Sequence, residues 1–274
     1  MSTSGSSTGN GPLYIGVSTK MYLGYQESLR WLSEVRSIVD DRPGLGTDSA
    51  AESPVRVFVI PSFPVLEPAA RILAGSPVLL GAQNCAWGDG PLTGEVSPGM
   101  LAELGVSLVE IGHAERRRLF AEDDAVVARK VRAVVGHSLT PLLCIGEPDR
   151  LDAGAAVDFC VRQVRAATGG DTDLLPRLVL AYEPVWAIGA DEPAAPHHVN
   201  AVLGLIREAL GPGCPVMYGG SAGPGLLPQL GAADGLFLGR FAHDPANLGR
   251  VLDEAVLLRQ AGAVAPASNS SSRS

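Results

Sequence analysis

Eight short apolar runs punctuate this chain, and stretches with helical spacing lie between them. The runs are Leu13–Val17, Val55–Ile60, Val78–Ala82, Ser107–Ile111, Thr140–Ile145, Leu178–Tyr182, Pro215–Tyr218 and Gly235–Leu238. Most are continuous rather than alternating, which suits parallel strands buried on both faces. The stretches Gln26–Val39, Pro64–Leu73, Pro98–Leu104, Asp123–Val135, Ala155–Ala167, Ala195–Leu210, Pro224–Gln229 and Pro245–Arg259 read as helices. Several open on Pro or Asp, as a first turn prefers. Eight strand–helix units in about 250 residues is the count of a closed α/β barrel of the (β/α)8 type. An open doubly wound sheet is the alternative, but it carries a glycine fingerprint after its first strand. Here that segment is Ser18-Thr19-Lys20-Met21-Tyr22. No linker interrupts the body, so one domain is expected over 12–262. The polar small-residue ends, 1–11 and 263–274, are expected to be disordered tails.

Composition excludes several classes. The formal net charge of −8 offers no counterion release to DNA or RNA. Hydrophobic residues at 46% against 18% charged fit a chain with ample core. No apolar run approaches the ~20 residues that span a bilayer, so no membrane partner is expected. The N-terminus has neither a basic start nor an apolar stretch and does not read as a secretory signal. Cys85, Cys144, Cys160 and Cys214 are scattered, without a C-x-x-C pair. Free thiols in a reducing cytoplasm are expected.

In such a barrel the site lies at the C-terminal strand ends. Reading the residue after each run gathers Lys20, His113, Glu183, Gly219-Gly220-Ser221 and Gly239-Arg240 at one rim. A lysine ammonium suits an anionic substrate and a developing oxyanion; the plain alternative is a strand-end lysine reaching solvent. His113 stands where the fourth strand ends and a helix begins, a position that favours a neutral imidazole able to donate. The alternative is a core histidine bonded to a carbonyl. Glu183 follows an apolar strand and precedes a Pro-Val-Trp segment, surroundings that make a carboxylate a useful base. Its alternative is a salt bridge to an arginine. The glycine-rich turns after strands seven and eight present backbone N–H groups suited to phosphate. No His/Cys/Asp cluster has metal-ligand spacing. His197-His198 reads as surface, and Cys144 as packing.

These strings resemble the triosephosphate isomerase family from Leu13 to about Leu257. The matches are Gly81-Ala82-Gln83-Asn84, Thr93-Gly94-Glu95, Gly112-His113-Ala114-Glu115-Arg116-Arg117, Cys144-Ile145-Gly146-Glu147, Ala181-Tyr182-Glu183-Pro184-Val185-Trp186-Ala187-Ile188-Gly189 and Tyr218-Gly219-Gly220-Ser221. The resemblance implies a TIM barrel. It also implies Glu183 as the base that moves a proton between neighbouring carbons, His113 as the neutral electrophile, and Lys20 as the cation beside it. That pairing of base and imidazole is the family's own known chemistry. It further implies Glu115 as the support of Lys20, and Ser18, Gly189, Ser221, Gly239 and Arg240 as substrate- and phosphate-binding residues. Residues 184–194 would close as a lid. A homodimer is implied, with the loop around Thr93 reaching the partner, and neither metal nor organic cofactor.

The departures from the family pattern point to a changed substrate. Ser18 replaces a longer asparagine, Ala114 a serine, and Arg240 the second glycine after strand eight. The lid ends Gly189-Ala190-Asp191-Glu192-Pro193-Ala194 in place of Gly-Thr-Gly-Lys-Thr-Ala. Asp191 lacks glycine's freedom, Glu192 reverses a charge, and Pro193 stiffens the hinge. Arg240 keeps its backbone donor and adds a guanidinium for phosphate. A branch of the family with these changes acts on tetrulose phosphates, converting L-erythrulose 1-phosphate to D-erythrulose 4-phosphate. The expected activity is that isomerisation. The alternatives are an ordinary triosephosphate isomerase with a drifted lid and a non-catalytic phosphosugar-binding relative.

Overall fold

A computed structural model describes residues 11–45, 53–190 and 193–264. Eight parallel strands close on themselves: β1 (Leu13–Ser18), β2 (Val55–Ile60), β3 (Leu79–Ala82), β4 (Leu108–Ile111), β5 (Thr140–Ile145), β6 (Val179–Tyr182), β7 (Val216–Gly219) and β8 (Gly235–Leu238). Each apolar run of the sequence supplies one strand, displaced by no more than one residue at either end. The barrel closes where Tyr14 pairs with Gly235 and Val17 with Leu238. Gly235 has φ +148, and a Cβ there would stand 1.8 Å from the Tyr14 carbonyl oxygen, so closure needs glycine at this point.

The helices are α1 (Tyr25–Asp40), α2 (Leu66–Ile72), α3 (Pro98–Glu103), α4 (Ala114–Phe120), α5 (Asp124–Gly136), α6 (Ala153–Thr168), α7 (Pro196–Leu210) and α8 (Pro245–Val264). Side-chain caps start several of them. Asp123 accepts from the Val126 N–H at 2.8 Å and Asp152 from the Ala155 N–H at 2.9 Å. The apolar stripe of α6, from Ala156 and Val157 through Cys160, Val161 and Val164, is buried against the strands.

Two expectations need correction. Pro224–Gln229 does not form a helix but only a short 3-10 turn at Leu227–Gln229, because two prolines and Gly225 interrupt the stretch. The helix expected to begin at His113 is the short α4, whose extent no apolar stripe marks, since it has no buried residue. The stretch Pro64–Leu73 also opens with a 3-10 turn at Phe63–Val65 before α2. Nearly all of the two expected tails lies outside the described residues.

Alternation along the strands divides the buried residues in two. Ile15, Val17, Val57, Val59, Val109, Ile111, Leu143 and Leu180 face the helices. Tyr14, Phe58, Ile60, Leu108, Leu142, Cys144, Val179, Ala181, Met217 and Phe237 fill the barrel. Phe58 and Phe237 lie 5.9 Å apart between ring centroids inside it, so the interior is a packed core and not a pore. All four cysteines are buried and unpaired. Among the described residues no helix is long and apolar enough to cross a membrane.

Candidate active site

The same alternation decides which side chains reach the barrel mouth. At or just past the C-terminal ends of β1, β4, β6 and β7, the inward positions are Ser18, Glu110, Glu183 and Gly219. Three of them, Ser18, Glu110 and Glu183, line a cavity of about 600 Å³, a size that suits a small ligand. Lys20, His113, Glu115, Gly189, Ser221, Gly239 and Arg240 share its wall, so the residues expected to act on or bind the substrate face one space.

His113 is the N-cap of α4. Its Nδ1 accepts a hydrogen bond from the Glu115 peptide N–H at 3.1 Å. A ring nitrogen that accepts carries no proton, so the proton of the neutral ring sits on Nε2. That nitrogen stands 3.7 Å from Glu183 Oε2 and 4.0 Å from Glu110 Oε1. The partner of this buried histidine is thus a helix N–H, which sets aside the reading as a core histidine satisfied by a carbonyl.

The loop after β6 fixes Glu183. Its backbone N–H donates to the Ile145 carbonyl at 2.8 Å. Among the described residues its ion-pair contact is with His113 and not with an arginine, and its buried Oε2 has no hydrogen-bond partner. Cys144 lies beside it within the barrel. Burial, with the charges of Glu183 and Glu110, pushes that thiol well above its usual range, so it packs as a thiol.

Lys20 adopts the left-handed region, at φ +48. Two hydrogen bonds to its carbonyl hold it there, from Ser62 Oγ at 2.7 Å and Gln83 Nε2 at 2.6 Å. Its ammonium does not run out to solvent; it donates to Glu115 Oε1 at 2.6 Å. Burial pushes the Glu115 carboxyl up, but the hydrogen bond and charge of Lys20 outweigh it and hold the group below its usual range.

Across the barrel, Arg240 lies over the Tyr22 ring at 5.9 Å and comes close to Gly189. Ser221 Oγ donates to the Ala190 carbonyl at 2.5 Å. The Tyr218 hydroxyl accepts from the Ala194 N–H at 3.0 Å. These two bonds grip the 184–194 segment on either side of Asp191 and Glu192, which lie outside the described residues. Pro193 is exposed. Trp186 Nε1 and the Tyr182 hydroxyl both donate to Glu147 Oε1, at 2.9 and 3.1 Å, anchoring the start of the segment. His197 is exposed as expected, but His198 is half-buried with its ring edge-on to Trp186.

Glu110 escaped the sequence reading because it sits inside a strand run, not after one. Its signal was parity: Leu108 and Glu110 share the inward face of β4. Gly219 was expected as part of a phosphate-binding turn, but the structure gives it a steric role that the sequence does not show. A Cβ there would stand 2.5 Å from Glu183 Cγ.

A carboxylate oxygen and an imidazole N–H on one space, with an ammonium nearby, can move a proton between adjacent carbons. A closed barrel with these groups at its mouth is an enzyme of the (β/α)8 class. The sequence model of triosephosphate isomerase matches residues 13–255. The chain is 48% identical over 255 residues to the L-erythrulose-1-phosphate isomerase of Pectobacterium atrosepticum, covering 90% of this chain and 96% of that one. It is 40% identical to the protein of that name from Rhizobium etli, covering 84% and 87%. To a triosephosphate isomerase of Synechococcus sp. it is 38% identical, covering 88% and 96%. The chain belongs to the triosephosphate isomerase family.

Proposed function

We propose that the protein is a sugar-phosphate isomerase that converts L-erythrulose 1-phosphate to D-erythrulose 4-phosphate. The observation that carries this is Glu183 Oε2 and His113 Nε2, 3.7 Å apart at the mouth of one cavity with Lys20 on its wall. The names of the relatives at 48% and 40% identity support the four-carbon substrate, as does the short Ser18 at the cavity wall.

Glu183 takes the proton from C3, and the electron pair moves into an enediolate across C2 and C3. His113 Nε2–H donates to the developing oxyanion, and Lys20 stabilises its charge. Glu183 then returns the proton at C2, while the hydroxyl proton passes from O3 to O2. The carbonyl has moved from C2 to C3, and no atom is gained or lost. Glu115 positions Lys20. The backbone N–H groups of Gly189, Ser221, Gly239 and Arg240, with the Arg240 guanidinium, hold the phosphate beneath the 184–194 lid. We read the assembly as a homodimer, and the four free thiols as suited to a reducing cytoplasm.

The test is a parallel isomerase assay on L-erythrulose 1-phosphate and glyceraldehyde 3-phosphate. Turnover mainly of the tetrulose supports the reading. Turnover mainly of the triose, the substrate of the 38%-identical relatives' named activity, overturns the substrate. Failure to exchange a substrate proton with solvent, with no change on Glu183→Gln, overturns catalysis altogether.

A further inference from the structure

The proposed reaction gives tasks to Glu183 and Glu115 but none to Glu110, the third carboxyl of the cavity wall. We propose that Glu110, held by Ser18, determines specificity by binding the C4 hydroxymethyl group, which a four-carbon ketose phosphate carries beyond its two reacting carbons and a three-carbon one lacks. This rests on the reading of the site given above.

Three observations lead there. First, Glu110 is a buried carboxyl on the inward face of β4, and the inward residues Leu108, Leu142, Cys144 and Phe237 of β4, β5 and β8 are apolar. A carboxyl buried among such neighbours is costly unless something uses it. Second, Ser18 Oγ donates to Glu110 Oε2 at 3.0 Å, a bond that crosses the barrel from β1 to β4. It fixes the carboxyl as a polar floor beneath His113 and leaves Oε1 facing His113 Nε2 at 4.0 Å. Third, the order of the closed sheet sets β4 diametrically across from β8. The phosphate end of the substrate belongs with Arg240 after β8. The reacting carbons belong at His113 and Glu183. The remaining end of the molecule is then directed at β4 and the floor.

The chemistry of the group fits a hydroxyl. Burial pushes the Glu110 carboxyl up to about 7, with His113 opposing and the Glu183 charge adding to it. Near neutrality it is therefore a hydroxyl's match in either sense, donating as the acid or accepting as the carboxylate. A triose sets no hydroxyl there and leaves the buried carboxyl unpaired, which selects against it.

The experiment compares kcat/KM for L-erythrulose 1-phosphate and glyceraldehyde 3-phosphate in wild type, Glu110→Leu and Glu110→Gln. The expected result for Glu110→Leu is a fall of about 30-fold or more in the tetrulose-to-triose ratio. Glu110→Gln keeps the size and an acceptor for Ser18, so its ratio falls less, by about 5-fold. If the leucine variant fails to fold, as judged by circular dichroism, the glutamine variant decides alone. A structural role would lower both substrates together, and an unchanged ratio overturns the inference. A wild type that ignores the tetrulose overturns this inference and the substrate reading together. A wild type that prefers the tetrulose, with variants of unchanged ratio, overturns this inference alone.

Discussion

Glu115 serves Lys20 and His113 at once: its carboxylate accepts from Lys20 Nζ at 2.6 Å, and its peptide N–H donates to His113 Nδ1 at 3.1 Å. One residue at the start of α4 thus aims the ammonium of the β1 loop and fixes the tautomer of the imidazole. The second contact uses the backbone and survives any side-chain change; the first does not. The two functions can therefore be separated by substitution.

Glu115→Gln keeps an acceptor for Lys20 but loses the charge that holds it. We expect kcat/KM to fall about 10-fold, and Lys20→Met to lower it by about 10²- to 10³-fold. In the Lys20→Met background, Glu115→Gln should cost nothing further, since its effect runs through Lys20. Steady-state kinetics on the four proteins tests this; additive losses would give Glu115 a role independent of the lysine. The pair is partly exposed, so thermal stability should barely move.

Two glycines press on Glu183 from different sides with opposite consequences. A Cβ at Gly219 would stand 2.5 Å from Glu183 Cγ, a movable side chain. A Cβ at Gly146 would stand 2.0 Å from the Glu183 carbonyl oxygen, which is fixed backbone. Gly219→Ala should fold almost normally but lose about 100-fold in kcat, because a base displaced by ~1 Å is badly placed. Gly146→Ala should be destabilised by about 3 kcal/mol or more. Melting curves and kcat for both variants would distinguish the cases. A Gly219→Ala enzyme with full activity would mean that the position of Glu183 is not critical.

The barrel was legible in the sequence because buried parallel strands leave continuous apolar runs, and all eight runs became strands. Lys20, His113 and Glu183 were legible because each lies within three residues of the end of a run, whereas Ser18, Glu115 and Gly189 came with the family resemblance. What stayed hidden has physical reasons. The start of α4 at His113 was expected but its extent was not, since it lacks an apolar stripe, and its N-cap is not the usual Ser, Thr, Asp or Asn. The Pro224–Gln229 stretch looked helical from its leucines, yet its prolines and glycine limit it to one turn. Glu110 lies within a run, where only the inward parity of β4 marks it. The grip of Ser221 and Tyr218 on residues 190 and 194 joins segments far apart in sequence and leaves no local pattern.

The raised Glu110 carboxyl makes stability depend on pH with a definite sign. In the folded protein this group titrates at about 7, and in the unfolded chain near the ordinary 4.5. Between those values the native state binds the extra proton, so stability is present below the lower value and falls as pH rises through the window. The full span amounts to at most about 3 kcal/mol. The groups around it are Ser18 and Lys20 from β1 and its loop, His113 after β4, Cys144 from β5 and Glu183 after β6. Glu110→Gln removes this titration. Its melting temperature relative to wild type should therefore rise between pH 5 and pH 8. A difference that stays flat across that range would show that Glu110 does not hold its proton in the folded state.

The lid segment should be governed by the two hydroxyls that grip it. Tyr218→Phe leaves the Ala194 N–H, at a buried residue, without its acceptor, and Ser221→Ala frees the Ala190 carbonyl. The Tyr218 bond is buried, so its loss should cost about 1–3 kcal/mol of global stability; the Ser221 bond is more exposed and should cost less. Both variants should close the segment over the phosphate less often. A closed lid holds the enediolate and excludes water, so an enediolate exposed more often should lose phosphate by elimination. The expected outcome is a lower kcat with inorganic phosphate appearing as a side product, more in Tyr218→Phe than in Ser221→Ala. Phosphate release measured beside isomerisation reads this directly. A lower kcat without any phosphate would mean that the grip positions the phosphate-binding turn and does not govern closure.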